Sequence, residues 1–550
     1  MSEPSILDTR AAQMFPKLGE GEIERLRRFG ELREFASGDM LAKVGQTGLG
    51  LTIILSGEVE ITQHHENRQG DPIVTHTPGS FMGELAQLSG RPALVDARAI
   101  GGVTALMIPP DQLRAMLTAE AELGERIMRA LILRRVGLIE TGSGGPVIVG
   151  HAGNGDVLRL GNFLRRNGHP HTQLDPARDE EARTLVDRFQ VHEEELPIVL
   201  CPGGQLLRNP TEAGLARCIG LLGPIDPERL YDVAIIGTGP AGLAAAVYAA
   251  SEGLQVLALD CRSFGGQAGA SARIENFLGF PTGISGMALM GRAYSQAQKF
   301  GVEMAIPDEA VSLECANIER GVQRLMLANG ERVRARAIVV ATGARYRRLG
   351  VADLEAFEGT SVHYWASPLE AKLCQRESVA LVGGGNSAGQ AAVFLSGHAV
   401  HVTMIVRKDL KATMSSYLIE RIRSIANITV VTDAEVTALE GSDGRLNQIR
   451  YRMRATGKEI PLDVRHLFLF IGADPNTDWL AGTGIELDER GFICTGLGAN
   501  DGLHPLETNR KGVFAIGDVR SGSVKRVAAA AGDGAQVVAA LHAYLAEEPA

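Results

Sequence analysis

The sequence predicts a multidomain fold. An N-terminal β-roll or jelly roll with helices comes first, a compact α/β unit second, and a pair of doubly wound α/β domains last. Three observations predict it. Residues 1–142 hold short apolar strands separated by glycine turns. Residues 146–224 alternate strand and helix. From Tyr231 onward, strands and helices alternate through two glycine fingerprints, each directly after an apolar strand. At 550 residues the chain is also too long for one ordinary core.

Composition narrows the function classes. Apolar residues make up 45% and charged residues 22%, the balance of a soluble globular protein. A net charge of −10 without any basic run argues against a nucleic-acid partner. The start "MSEPSILDTRAAQMFPKL" lacks a basic-then-apolar signal pattern, and no apolar run is long enough to span a bilayer. A cytoplasmic protein with no membrane partner is therefore expected. The six cysteines (Cys201, Cys218, Cys261, Cys315, Cys374 and Cys494) are scattered, and no two form C-x-x-C. That excludes a local redox pair and a sequence-evident metal site. Most are expected to be buried apolar thiols.

In chain order, "EGEIERLRRFGELREF" has a helical pattern, and "LTIILSG", "EVEITQHH", "PIVTHTPG" and "VTALMIPP" read as short strands. "EAELGERIMRALILRRVGLIE" is a long closing helix, and "TGSGGP" a linker. The middle unit reads as strand "PVIVG", helix "GDVLRLGNFLRRNG", strand "HTQLD", helix "DEEARTLVDRFQ", strand "LPIVLC" and helix "PTEAGLARCIGL". The rest divides at 230–348, 349–472 and 473–550, the second doubly wound domain being inserted in the first.

"YDVAIIGTGPAGLAAAVYAASEGLQVLALD" is strand, turn, helix, strand. Gly237 allows the tight turn, Gly239 lets backbone amides approach a pyrophosphate, and Gly242 lets helix and strand pack closely. Pro240 and Ala241 open the helix, whose positive dipole end faces the phosphates. Asp260 ends the next strand, where a carboxylate accepts ribose hydroxyls.

Further segments make a resemblance specific. "FGGQAGASARIENFLGFPTGISG", "VVATGA", "IGADPNT" and "GVFAIGDVRSGSVKRVAAAAGDGAQ" occur in this order. Over 230–546 the chain resembles the low-molecular-weight thioredoxin reductases. The resemblance implies FAD, held also by Gly266, Gln267, Asn276, Val311, Ala341, Thr342, Gly343 and Gly517. It places Asp518 on the ribityl chain, and Arg526, Val527 and Ala528 near the flavin ring. For Asp518 alone, a helix N-cap is the plainer alternative. A homodimer is implied in the same way.

The second fingerprint, "VALVGGGNSAGQAAVFL", supplies Gly383, Gly385 and Ala388, with Asn386 and Ser387 between them. The following strand ends in Arg407 and Lys408 and not in an acid. Cations there suit a 2′-phosphate, hence NADPH. The family pattern is a His followed by two Arg, and a further Arg four residues on. Here Val406, Lys408 and Ala412 replace the His, the second Arg and the last Arg; Lys411 lies one position early. A solvated basic turn is the alternative for Lys411.

By resemblance, a redox cysteine pair should occupy Trp365 and Pro368 in "YWASP". Neither residue can carry disulfide exchange. Trp365 is expected to pack between domains, with stacking near the flavin as the alternative. Cys374 is expected in the core. No side chain is assignable as catalytic. The middle unit resembles the glutaredoxin or thioredoxin fold, with Pro197 as the cis-proline, but its active-site position reads "GHAGNGDV". It is expected to be a redox-dead adaptor. Cys201 with Cys218 remains an alternative pair.

The N-terminal segments "FASGDMLAKVGQTGLGLTIILSGEVEI" and "GSFMGELAQLSGRPALVDARA" resemble the cyclic-nucleotide-binding fold. Gly83, Glu84, Leu85 and Ala86 match its phosphate-binding cassette, and Glu84 would accept a ribose hydroxyl. The phosphate-pairing Arg position holds Ala93, and Arg91 lies two residues early. Leu94 or Val95 stands at the Ser/Thr position, and Asp96 adds negative charge nearby. A cyclic-nucleotide-like effector, another ligand and a structural role stay open.

The expected function is transfer of a hydride from NADPH to FAD, then to an acceptor other than a local disulfide. A protein or small-molecule acceptor serves equally. The alternatives are a disulfide reductase using non-local cysteines, a flavin-based redox sensor with little turnover, and a degenerate interaction protein.

Overall fold

The computed structural model describes residues 6–63, 72–83, 88, 92–141, 145–202, 204–223, 225–314, 321–358, 360–366, 368–442, 445–496 and 504–547. Cα packing divides the chain into two compact units. The first is Met1–Ile235 with Ala246–Phe264 and Ala293–Ala337. The second is Ile236–Ala245 with Gly265–Arg292 and Ile338–Ala550.

The N-terminal sheet is antiparallel, in the order Glu31–Phe35, Asp96–Ile108, Leu51–Thr62, Pro72–His76. Met40–Ala42 pairs with Asp96–Ile108, and Phe81–Met82 with Leu51–Thr62. The two longest strands form because alternate side chains serve two cores. Ile53 and Leu106 face the helices, while Ile54 and Ala105 face the interior of the roll. "LTIILSG" and "EVEIT", expected as two strands, are one continuous strand. The helical pattern of "EGEIERLRRFGELREF" ends at Leu26 in the α-helix Glu20–Leu26. After a 3-10 turn, Glu31–Phe35 is recruited as an edge strand by pairing with Val103–Met107. Tertiary pairing overrides local propensity there.

The closing helix Ala121–Thr141 carries Arg134 into the core. Its guanidinium donates to the carbonyls of Met14 at 3.0 Å, Phe81 at 2.9 Å and Gly83 at 3.0 Å. It lies over the rings of Phe15 and Phe81. Burial pushes its pKa down to about 9.

The middle sheet runs Leu206–Arg208, Ile198–Leu200, Val147–Val149, Thr172–Leu174. The last two strands are parallel, and the other pairings are antiparallel. The strand Leu206–Arg208 has no counterpart among the expected elements. Asn154 caps the helix Gly155–Arg166 by accepting from the amides of Asp156 and Val157. The Leu196–Pro197 peptide is cis.

The seven-stranded sheet follows the path Glu303–Ala305, Val256–Leu259, Leu230–Ile236, Arg332–Val340, Gln323–Leu327, Ala310–Glu314. Val513–Ala515 pairs with Arg332–Val340. A second sheet, parallel throughout, runs Val362–His363, His466–Leu469, Ser378–Val382, His401–Ile405, Ile428–Val431. Its central strands are buried and apolar, as a parallel sheet covered on both faces requires. An antiparallel meander, Ala434–Ser442, Arg445–Met453 and Glu459–Asp463, is added to it in sequence. Ala344–Tyr346 pairs with Ala473–Pro475 where the chain enters and leaves this region.

Candidate functional site

The first glycine turn sits between the strand Leu230–Ile236 and the helix Pro240–Ser251. Gly237 has φ +103°, and a Cβ there would strike the carbonyl oxygen of Ala341. A Cβ on Gly242 would strike the carbonyl oxygen of Gly237, so the helix can approach the turn only without a side chain. Gly239 is different. A Cβ there would have only the Gly266 Cα nearby, at 3.9 Å. Packing does not explain the missing side chain, and the open face beside the helix start fits a pyrophosphate.

The neighbouring segments are fixed to this turn. Ala341 donates its amide to Ile236, and Gly265 to Thr238. Gln267 lies in the short helix Gly266–Gly269, and its side chain donates to the carbonyl of Ala344. Thr342 and Gly343 are held by Asn476, which was not among the expected site residues. The side chain of Asn476 donates to the Thr342 carbonyl at 2.9 Å, its amide donates to Gly343, and its own carbonyl accepts from the Thr342 hydroxyl. The signal was present in "IGADPNT", but only the hydrogen bonds give Asn476 its task.

Asp518 lies in the 3-10 turn Gly517–Val519, whose N-cap is Ile516; Asp518 is not used as its cap. Burial raises its pKa, Lys525 offsets part of this, and Asp533 adds to the rise. Asp533 accepts from the Gly517 amide, so a second carboxylate orients the turn. Arg526 and Ala528 are exposed and Val527 partly so, at the start of the helix Val527–Glu547. Asn276 follows Glu275 in the segment that begins at Gly266. In the first unit, Asp260 ends the strand Val256–Leu259, and its carboxylate accepts from the Arg262 amide. Its carbonyl accepts from Asp308, a little before Val311 on the strand Ala310–Glu314.

The second turn joins the strand Ser378–Val382 to the helix Asn386–Ser396. Gly383 has φ +143°, and a Cβ would strike the Phe470 carbonyl oxygen. A Cβ on Gly385 would meet nothing within 4 Å, again an open cradle at a helix start. Ala388 is buried in the core. Ser387 is exposed. Asn386 turns its side chain toward Ser415, bonding the hydroxyl at 2.9 Å and the amide at 2.8 Å, so it fixes a loop. Arg407, Lys408 and Lys411 are exposed just past the strand His401–Ile405, open to a phosphate. The residues present thus fit both dinucleotides.

Trp365 is partly buried, and its indole N–H donates to the Glu370 carboxylate at 3.0 Å. It lines a cavity of about 310 Å³ in the second unit, together with Gln267, Tyr346, Gln390, Phe394 and Phe470. Pro368 begins the helix Pro368–Leu373; its side chain lies outside the described residues. Cys374 is fully buried, and burial pushes its thiol up to about 12, which removes thiolate chemistry there. Two residues before Trp365, His363 shares a hydrogen bond of 3.0 Å with His466, and burial pushes His363 down to about 3, with His466 adding to the shift.

In the middle unit, the position expected for a thiol pair holds His151, whose Nδ1 lies 3.1 Å from Asp175. Cys201 and Cys218 form a disulfide with Cα atoms 6.2 Å apart. This pair, an alternative in the sequence, is therefore joined.

In the N-terminal domain, Glu84, Leu85, Ala86 and Arg91 lie outside the described residues. Gly83 is described, and Arg134 holds its carbonyl. Ala93 and Leu94 are buried, and the backbone of Ala93 pairs with Gly45 and Gln46. Asp96, expected as added negative charge near an effector, accepts the Val44 amide at 2.9 Å. Among the described residues, no group of His, Cys, Asp and Glu suits a metal ion, and no helix is long and apolar enough to cross a membrane.

Comparison with known proteins agrees with this geometry. Residues 231–534 match the pyridine nucleotide-disulphide oxidoreductase family, and 32–120 match the cyclic nucleotide-binding domain. Thioredoxin reductase of Mycolicibacterium smegmatis is 35% identical over 322 residues, 58% of this chain and 98% of that protein. An NADPH-dependent thioredoxin reductase of Arabidopsis thaliana is 34% identical over 58% of this chain and 59% of its own length. The thioredoxin reductase structures from Lactococcus lactis and T. acidophilum superpose with a TM-score of 0.53 each. They are 28% and 30% identical, over 58% of this chain and 99% of theirs. The chain belongs to the pyridine nucleotide-disulphide oxidoreductase family, with FAD and NADPH as its cofactors and a cyclic nucleotide-binding domain at its N-terminal end.

Proposed function

We infer that this protein oxidises NADPH and delivers the electrons to an acceptor other than a local disulfide. One observation carries this reading: a tryptophan beside a cavity stands where the family would place a cysteine. The cofactors, when bound, supply hydride chemistry. The chain's part is to bind and orient. Gly237, Gly239 and Gly242 would seat the FAD pyrophosphate, and Asp260 the ribose. Gln267, Asn276 and Val311, the Ala341–Gly343 turn, Gly517, Asp518 and Arg526–Ala528 complete that set. Gly383, Gly385, Ser387 and Ala388 would seat NADPH. Arg407 and Lys408 would select its 2′-phosphate, with Lys411 close by.

The domain reading is 1–142, 146–224, 230–348 with 473–550, and 349–472. The sheet order of 146–224 supports a thioredoxin-like unit without the usual thiols. We take it as an adaptor. The N-terminal domain is read as a site for a nucleotide-like effector, the protein as a homodimer, and its place as the cytoplasm. A second reading rests on the Cys201–Cys218 disulfide: electrons pass to it, and the enzyme is a disulfide reductase after all.

The test is NADPH turnover by the purified holoprotein with thioredoxin disulfide, a quinone and O₂ in parallel, with and without cyclic nucleotides. The reading expects turnover with the non-disulfide acceptors alone. Thioredoxin reduction that disappears in Cys201→Ser would establish the second reading instead.

A further inference from the structure

The cavity beside Trp365 has the composition of a substrate site. Four aromatic side chains line it: Trp365, Tyr346, Phe394 and Phe470. Tyr346 and Phe470 meet edge to face, with ring centroids 6.0 Å apart at 81°. Trp365 is held through its indole N–H by Glu370, itself buried, so the ring is presented in one orientation. Gln267, Ser387 and Gln390 add a few hydrogen-bonding groups. The volume, about 310 Å³, suits one or two fused rings and little more.

The charges at the cavity are already matched to one another. Glu275 pairs with Arg421 at 2.9 Å and with Arg273 at 3.5 Å. A highly charged ligand would find its counter-ions already engaged, whereas an uncharged ring with carbonyl oxygens would find amides, hydroxyls and aromatic faces. The cavity shares Gln267 with the residues expected around FAD and Ser387 with those expected around NADPH. It therefore opens beside both cofactor sites, against Ala270–Arg273 and Glu275 of the segment that follows Gln267.

We propose that this cavity binds a planar, uncharged aromatic electron acceptor of the quinone class, with Trp365 as its stacking surface. The inference rests on the functional reading above and names its acceptor. The overall reaction balances: NADPH and one solvent proton convert one quinone to one hydroquinone and NADP⁺, two electrons passing in all.

The test is equilibrium dialysis of the oxidised holoprotein, without NADPH, against 2,3-dimethyl-1,4-naphthoquinone, whose ring positions are blocked against thiol addition. The proposal expects saturable retention of about one equivalent per chain. It expects Trp365→Ala to weaken retention at least about tenfold and Trp365→Phe to hold it within about threefold, since a phenyl ring still stacks. Phe394→Ala, in the same aromatic lining, serves if Trp365→Ala loses its flavin. Equal retention in wild type and in the variants would overturn the proposal. So would displacement of the quinone by NADP⁺, which would make the cavity the station of the nicotinamide. The reading beneath it is checked separately: if NADPH fails to bleach the bound flavin, it is the oxidoreductase reading that falls.

Discussion

The two glycine turns agree at their first two positions and differ at the third. Gly237 and Gly383 both have positive φ, and a Cβ on either would strike a backbone carbonyl oxygen, of Ala341 and Phe470 respectively. A Cβ on Gly239 would meet only the Gly266 Cα, at 3.9 Å, and one on Gly385 would meet nothing within 4 Å. At the third position, Gly242 is required because its helix sits against the Gly237 carbonyl, whereas Ala388 fits inside a core of apolar side chains. One sequence pattern thus holds glycine for two reasons. At the first position the protein's own chain excludes a side chain. At the second the protein's own chain leaves room for a side chain, which is what an approaching pyrophosphate would need.

That distinction is breakable by substitution. The largest effect should come from Gly237→Val, which adds a carbonyl clash to an unfavourable φ and should cost about 3 kcal/mol or more together with all bound FAD. Thermal unfolding and flavin absorbance check it. A stable, yellow variant would refute the packing argument. Next, Gly239→Val should lower FAD affinity by roughly 100-fold while shifting the melting temperature of the apoprotein by less than ~2 °C. A large loss of apoprotein stability would show that the open face is needed by the chain and not by a ligand.

The third effect separates the domains by acid. His363, in the sheet behind the second turn, is held neutral with a folded pKa of about 3. Its pKa is depressed on folding, so the unfolded chain binds the extra proton. The stability is present above about pH 6.5 and is lost as pH falls toward 3. At pH 5 the loss should be about 2 kcal/mol. His363→Gln, which keeps a hydrogen-bonding group but does not titrate, should flatten the melting temperature between pH 7 and pH 5. An unchanged slope would remove His363 from the account. The smallest effect belongs to the surface cations. Arg407→Ala with Lys408→Ala should reduce the preference for NADPH over NADH about tenfold, measured as the ratio of kcat/KM values.

Much of the site was legible because it is local. A strand, a glycine turn and a helix start are contiguous in sequence, so Gly237, Gly239, Gly383 and Gly385 could be read and given roles. The missing cysteines were legible for the same reason. What escaped depends on distant partners. Glu31–Phe35 became a strand because Val103–Met107 pairs with it. The meander of 434–463 is short amphipathic chain whose meaning comes from its own pairing. Asn476 and Arg134 matter through the carbonyls they reach, from about fifty to more than a hundred residues away. Whether Cys201 and Cys218 meet depends likewise on the fold, which brings them to 6.2 Å between Cα atoms.

That disulfide makes electron counting the most direct test of the central claim. An anaerobic titration of the purified holoprotein with NADPH as the sole reductant, followed by flavin absorbance, should consume about two electrons per FAD, because the flavin is then the one redox centre in communication with NADPH. Consumption of about four would mean that Cys201–Cys218 is reduced as well, and would contradict delivery to a non-disulfide acceptor.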